Sequence, residues 1–174
     1  MPVIGRDEAI RTLDEGNRQV RDLAGQLSDD QLTRPASIGG GDWSARDLLG
    51  HLTTWEEVAL EALQEWRDGN RPRVETEIFG TDEGVDTFNA QTVEAKRQRS
   101  AEEIRDAAER VHEALRREIE SMSDGEWRAR APYATERRRT LAELLGSVLG
   151  APRRPFGHAF AHLDDLRAYV DSAP

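Results

Sequence analysis

Ser44-Ala-Arg-Asp-Leu-Leu-Gly-His51-Leu-Thr-Thr-Trp55-Glu-Glu-Val-Ala-Leu-Glu-Ala-Leu-Gln-Glu-Trp66 is the stretch on which the fold is read. Leu48, Leu52, Trp55, Ala59, Ala62, Leu63 and Trp66 recur at the spacing of one face of an α-helix. Ser44 and Asp47 open it as a capping box, in which the hydroxyl accepts from a first-turn amide while the acid three residues on reaches back. The pattern stops before Asp68-Gly69-Asn70, a turn signal.

The same box recurs outward from this stretch, at Ser28…Gln31, Ser100…Glu103, Ser123…Glu126 and Thr140…Glu143. Upstream, residues 7–27 place Ile10, Leu13, Val20, Ala24 and Leu27 on one helical stripe, with Asn17 its polar interruption. Downstream, a helical region runs from Asp86 to Met122 with a break expected at Ser100, and carries Ile104, Ala108, Val111, Leu115 and Ile119. Leu141, Leu144, Leu145 and Val148 start a last helix; Pro152 and Pro155 interrupt it, and Phe156 to Val170 resumes it. Residues 67–85 and 127–139 are irregular, and the first is long enough for a lid or binding loop. These elements predict an all-α fold, a four-helix bundle running up and down with a long crossover between helices 2 and 3, in one domain over 1–174.

The chain has 174 residues, 24 Lys+Arg against 34 Asp+Glu, a net charge of −10 and no cysteine. Its mean hydropathy of −0.74 is polar, yet the regular apolar periodicity distinguishes it from a disordered chain. Without cysteine there is no disulfide framework, cysteine-ligated metal or cysteine nucleophile. The acidic balance argues against nucleic acid as a partner. No apolar run is long enough to span a membrane and the N-terminus lacks an apolar leader, so the expectation is a cytoplasmic protein that acts on a small molecule, with no membrane partner and with a homodimer open to it.

Of four histidines, His158 and His162 lie four apart, a spacing at which two imidazoles on a helix share one face and can share one metal ion. Such pairs also occur without a metal. His51 faces inward beside Val58 and Ala62; a histidine so placed, taken alone, is more often a hydrogen-bonded core residue than a ligand. His112 has no partner at metal spacing and is expected to be exposed.

Two motifs extend this reading. The run Trp43-Ser-Ala-Arg-Asp-Leu-Leu-Gly-His51-Leu-Thr-Thr-Trp55-Glu resembles the opening of the second helix of the DinB/YfiT-like superfamily, and Gly157-His158-Ala-Phe-Ala-His162-Leu-Asp-Asp-Leu-Arg resembles its last-helix histidine pair. The resemblance implies a metal held by His51, His158 and His162, nickel or zinc in type. It also implies a transferase or isomerase using a mycothiol- or bacillithiol-type thiol as cosubstrate. In the ClbS/DfsB-like branch, whose members act in small-molecule resistance, a Trp-Glu and a Phe-Asn recur; Trp55-Glu56 and Phe88-Asn89 match them here, which implies substrate-binding roles for Trp55, Phe88 and Asn89. A non-catalytic bundle is the third alternative. The chain departs from the pattern at Ala151-Pro-Arg-Arg-Pro-Phe-Gly157, which places His158 in a first turn.

A coordinated thiol is held deprotonated, so three neutral imidazoles around a divalent ion suit thiol activation, and without cysteine the thiol must be a cosubstrate. Residues 127–157 carry seven arginines against two acids, beside the histidine pair. They read either as a device that steers anions or as a solvated face paired with acidic helices.

Overall fold

The computed structural model describes residues 4–81, 83–135 and 139–173. It is helical throughout: α1 (Arg6–Ala24), α2 (Asp29–Leu32), α3 (Ala45–Arg67), α4 (Gly84–Lys96), α5 (Ala101–Ser121), α6 (Asp124–Trp127), α7 (Leu141–Val148) and α8 (Leu163–Ser172). A π-helical turn, Val74–Ile78, lies in the long connection after α3, and a 3-10 turn, Ala159–Ala161, precedes α8. Among the described residues there is no strand, only the isolated bridges Arg130–Thr140 and Ala151–Arg154. No helix among them is long and apolar enough to cross a membrane.

All five expected caps form: Ser28, Ser44, Ser100, Ser123 and Thr140 each accept from the amide three residues on. The returning side chain completes the box at Ser28, Ser44, Ser100 and Thr140.

Helix α3 is the axis of the packing, against α5, α4 and α7 along its length. Its C-terminal half, with Trp55, Ala59, Leu63 and Trp66, joins Leu115 and Ile119 of α5, Leu144 and Leu145 of α7, Trp127 and Phe156 in one core cluster. Its N-terminal half, with Leu48 and Leu49, joins Val20 and Ala24 of α1, Ile104 of α5 and Leu163, Leu166 and Tyr169 of α8 in a second. Each fully buried leucine here contributes about 2 kcal/mol. Between the two clusters α3 buries the polar residues His51, Thr53 and Thr54. The threonine hydroxyls are satisfied within the helix by the Leu49 and Gly50 carbonyls (2.8 and 2.9 Å), which leaves the imidazole as the polar group needing a partner.

The last helix departs from expectation. The prolines do break it, but the chain does not resume as an α-helix at Phe156. After α7 it passes through two non-glycine residues in the left-handed region, Arg153 (φ 66°) and Phe156 (φ 59°). Phe156 is 1% exposed and stacks on Trp127 with ring centroids 5.8 Å apart. Burial of this ring offsets a backbone cost of about 1–2 kcal/mol. His158 and His162 then bracket the 3-10 turn instead of sharing one α-helical face. Gly16 of α1 admits that turn: a Cβ there would lie 2.9 Å from the Ala159 Cβ and 3.1 Å from the Phe160 ring.

The long connection is pinned by Glu75, whose buried carboxylate accepts from the Tyr133 hydroxyl (3.1 Å), Arg71 Nε (3.3 Å) and Arg139. Of the expected arginine cluster, Arg137 and Arg138 lie outside the described residues.

His112, expected to be exposed, is buried. Its Nδ1 lies 2.9 Å from Glu56 of α3 and its Nε2 3.2 Å from Asp14 of α1, while Arg116 Nε donates to the other Asp14 oxygen (3.2 Å). The partners come from other helices, so local spacing carried no sign of them. Burial pulls the His112 pKa down, but the hydrogen bonds and charges of Glu56 and Asp14 outweigh it and hold the imidazole above its ordinary value.

Two outcomes follow from this packing. Ser44→Ala, which removes a buried cap, lowers stability by about 1 kcal/mol, seen as a lower urea midpoint at unchanged slope. Because the folded pKa of His112 is raised, its contribution is complete below the unfolded imidazole value of about 6.5 and is lost as pH rises through the folded value. Urea titrations from pH 5 to 9 should therefore show wild type ahead of His112→Gln by most at low pH, with the gap closing as pH rises.

Candidate metal centre

Two elements deliver three imidazoles to the seam between the core clusters. The buried face of α3 turns in His51, 3% exposed, while the two ends of the 3-10 turn supply His158 and His162. His158 is also fixed through its backbone, its amide donating to the Leu149 carbonyl (3.0 Å). Nε2 of His158 lies 3.1 Å from Nε2 of His51 and 3.3 Å from Nε2 of His162. One ring nitrogen from each of the three falls within 4.8 Å of the others, the one such metal-ligating group among the described residues.

Burial first, then the His158 and His162 rings and Lys96, push the His51 imidazole down to about 2. Burial and His162 push His158 down to about 4. Burial also lowers His162, against the pull of Asp165. All three are neutral at pH 7, the form that coordinates metals.

The donor set fits a divalent ion. A ring nitrogen carries either a proton or a lone pair, so Nε2 of His158 cannot make ordinary hydrogen bonds to both neighbours. A tetrahedral ion with metal–nitrogen bonds of 2.0–2.1 Å spaces its ligand atoms about 3.3 Å apart, close to the two separations here. Behind His51 the usual hydrogen-bonding support is missing: its Nδ1 is buried with no partner among the described residues. Packing orients this ring instead, with the Trp43 ring centroid at 4.9 Å.

The nitrogens face an open pocket of about 270 Å³ walled by Trp43, Trp55, Phe79 and Val85, with Asn89 and Ser147 as its polar side chains besides the histidines. Among the described residues no carboxylate, lysine or arginine lines it. Trp55 is both core and wall: 5% exposed, it sets its ring edge-on to His158 (6.0 Å) and Phe88 (5.6 Å) and nearly parallel to Phe79 (5.9 Å, 13°). Its Nε1 donates to Asn89 Oδ1 at 3.0 Å.

Of the residues expected to bind substrate, Trp55 and Asn89 reach this pocket, whereas Phe88 sits beside Trp55 and lines a neighbouring cavity. Trp43 and Phe79 were not singled out as site residues. An exposed phenylalanine inside the irregular 67–85 segment was the available signal for Phe79. The arginines play other parts: Arg154 lies over the Phe160 ring at 3.3 Å and Arg139 pairs with Glu75.

The profile of the DinB superfamily matches residues 12–150, which include His51, Trp55 and Asn89 and stop short of His158. No curated protein matches the chain. Among solved structures, an uncharacterised protein from Escherichia coli UTI89 superposes with a TM-score of 0.75 at 14% identity, over 95% of this chain and 92% of that one. The colibactin self-resistance protein ClbS in complex with a dsDNA gives 0.73 at 16%, over 94% and 95%. An uncharacterised protein from Clostridium difficile 630 gives 0.76 at 10%, over 98% of each chain. At these identities the likeness is one of fold.

The ClbS complex overturns one expectation. Acidic composition does not exclude nucleic acid for this fold, because net charge averages the whole surface whereas phosphates are met by a local patch. The chain's own arginine-rich 127–157 segment shows how unevenly its charge is spread. With four-fifths of the sequence inside the match, the chain belongs to the DinB superfamily.

Proposed function

We propose that His51, His158 and His162 hold one divalent first-row ion, nickel or zinc, and that the protein is a thiol-dependent transferase or isomerase acting on a small electrophile. The observation that carries this is the meeting of three neutral Nε2 atoms at the floor of an open, aromatic-walled pocket. Imidazole donors suit these metals. When bound, the ion would supply Lewis acidity that keeps a coordinated thiol ionised at neutral pH.

The chain's own residues do the rest. Among the described residues no side-chain carboxylate lines the pocket, and proton transfer there is assigned to solvent. Trp43, Trp55 and Phe79 supply flat apolar walls for the electrophile. No cysteine exists in the chain, so a mycothiol- or bacillithiol-type thiol enters as cosubstrate.

A second reading, a ClbS-like resistance protein that sequesters or hydrolyses an electrophile, draws on the shared fold and on the hydrogen bond joining Trp55 to the Phe88-Asn89 pair. Because ClbS was solved with a dsDNA, duplex binding belongs to this reading.

Metal analysis of protein purified without a histidine tag tests the first reading. One equivalent of nickel or zinc is expected, falling by at least tenfold in affinity in His51→Gln and His162→Ala. Saturating metal at about 100 times its Kd stabilises the wild type by about 2.7 kcal/mol and leaves the variants unmoved. A metal-free protein whose melting temperature ignores added nickel and zinc would sink it. Conjugation of a mycothiol-type thiol to an electrophile, run beside anisotropy titrations with duplex DNA, separates the two readings.

A further inference from the structure

We propose that the pocket selects molecules bearing a hydrogen-bond acceptor oxygen, a carbonyl or acyl group on a flat apolar body, and that Trp55 sets this selectivity by locking the Asn89 amide with its NH2 group toward the ligand. The proposal deepens the reading of the pocket as a small-electrophile site, and rests on it, by naming the class of molecule.

The argument starts from the indole. An indole N–H donates and cannot accept, so the Asn89 atom 3.0 Å from Trp55 Nε1 must be the amide oxygen. With the oxygen turned to the indole, the two N–H donors are the groups of Asn89 turned away from Trp55, and Asn89 lines the pocket that holds the three histidines. Packing holds the lock: Trp55 is 5% exposed and has Phe79, Phe88 and His158 against its ring. Turning the amide over would leave a buried indole N–H facing an NH2 group, an unpaired donor whose cost strongly favours the observed orientation.

Among the described residues of the wall, Asn89 is the one side chain turned to offer donors alone: the three imidazoles each carry one donor and one acceptor nitrogen. Ser147 both donates and accepts and therefore does not discriminate, and no charged side chain among the described residues lines the pocket. A ligand carbonyl at Asn89 finds a donor, whereas a ligand N–H there meets another donor and loses its own hydration without replacement. A site built to bond one polarity rejects the other strongly. The aromatic walls of Trp43, Trp55 and Phe79 favour a planar body. An electrophile whose carbonyl oxygen is held by N–H donors is also polarised for attack.

Acetophenone, whose oxygen only accepts, and N-methylaniline, whose N–H donates, are matched probes for ligand-observed NMR titrations. Wild type should bind acetophenone about tenfold more tightly than N-methylaniline. Trp55→Phe keeps the ring but frees the amide to turn, so the preference should collapse toward parity, while circular dichroism and melting report that the fold persists. Asn89→Asp, near in shape but acceptor-only, should reverse the preference even if the tryptophan variant fails to fold. Equal binding of the two probes by wild type, or an unchanged preference in Asn89→Asp, overturns the proposal. The titrations are run on zinc-loaded and on metal-free protein. A preference in the metal-free protein upholds the amide lock even where metal analysis has rejected the metal centre, so the two failures are told apart.

Discussion

A buried helix must find a partner for every polar group it carries, and α3 is buried along most of its length. Its threonines solve this internally, by bonding back to carbonyls one turn earlier. An imidazole cannot do so from a helical position pointing into the core. His51 is therefore the constraint around which the rest is arranged: the two core clusters stop on either side of it, and the chain returns from α7 to bring two more imidazoles to its Nε2.

The return is made in an unusual way. The loop through Pro152 and Pro155 uses two residues with positive φ that are not glycine, one of them a large aromatic. The backbone cost is held in place by packing: Phe156 on Trp127 and against Gly146, Arg154 over Phe160, and the 3-10 turn against Gly16. A regular α-helix from Phe156 onward would have satisfied local preference at less cost. What the observed path achieves is the placement of His158 and His162 on either side of a short turn with their Nε2 atoms 3.3 Å apart. Strain concentrated beside convergent polar groups is characteristic of functional sites.

The molecule handles its charges in two different ways. Around His112 and around Glu75, buried charged or polar groups are well supplied with partners: Glu56 of α3 and Asp14 of α1 meet His112 of α5 and tie those helices together, while Tyr133, Arg139 and the nearby Arg71 meet Glu75 and hold the π-helical turn. At the three histidines the opposite holds, with Nε2 atoms crowded 3.1 and 3.3 Å apart and, behind them, a His51 Nδ1 that has no partner among the described residues. The contrast in partners separates His112, a structural imidazole, from the three imidazoles that could hold a metal ion.

Much of this was written in the chain. The apolar spacing and the five capping pairs determined the all-α class and the starts of α2, α3, α5, α6 and α7, because helix caps and amphipathic stripes depend on residues within one or two turns. His51, His158, His162, Trp55 and Asn89 could be named for the same reason, from short motifs. Tertiary structure alone decided the rest: that His112 is enclosed by Glu56 and Asp14, that Phe79 folds back onto Trp55 while Phe88 stays behind it, that the last helix is divided, and which way the Asn89 amide faces. Each depends on a contact between residues far apart in sequence, whose strength comes from burial and orientation, and neither quantity has a local signature.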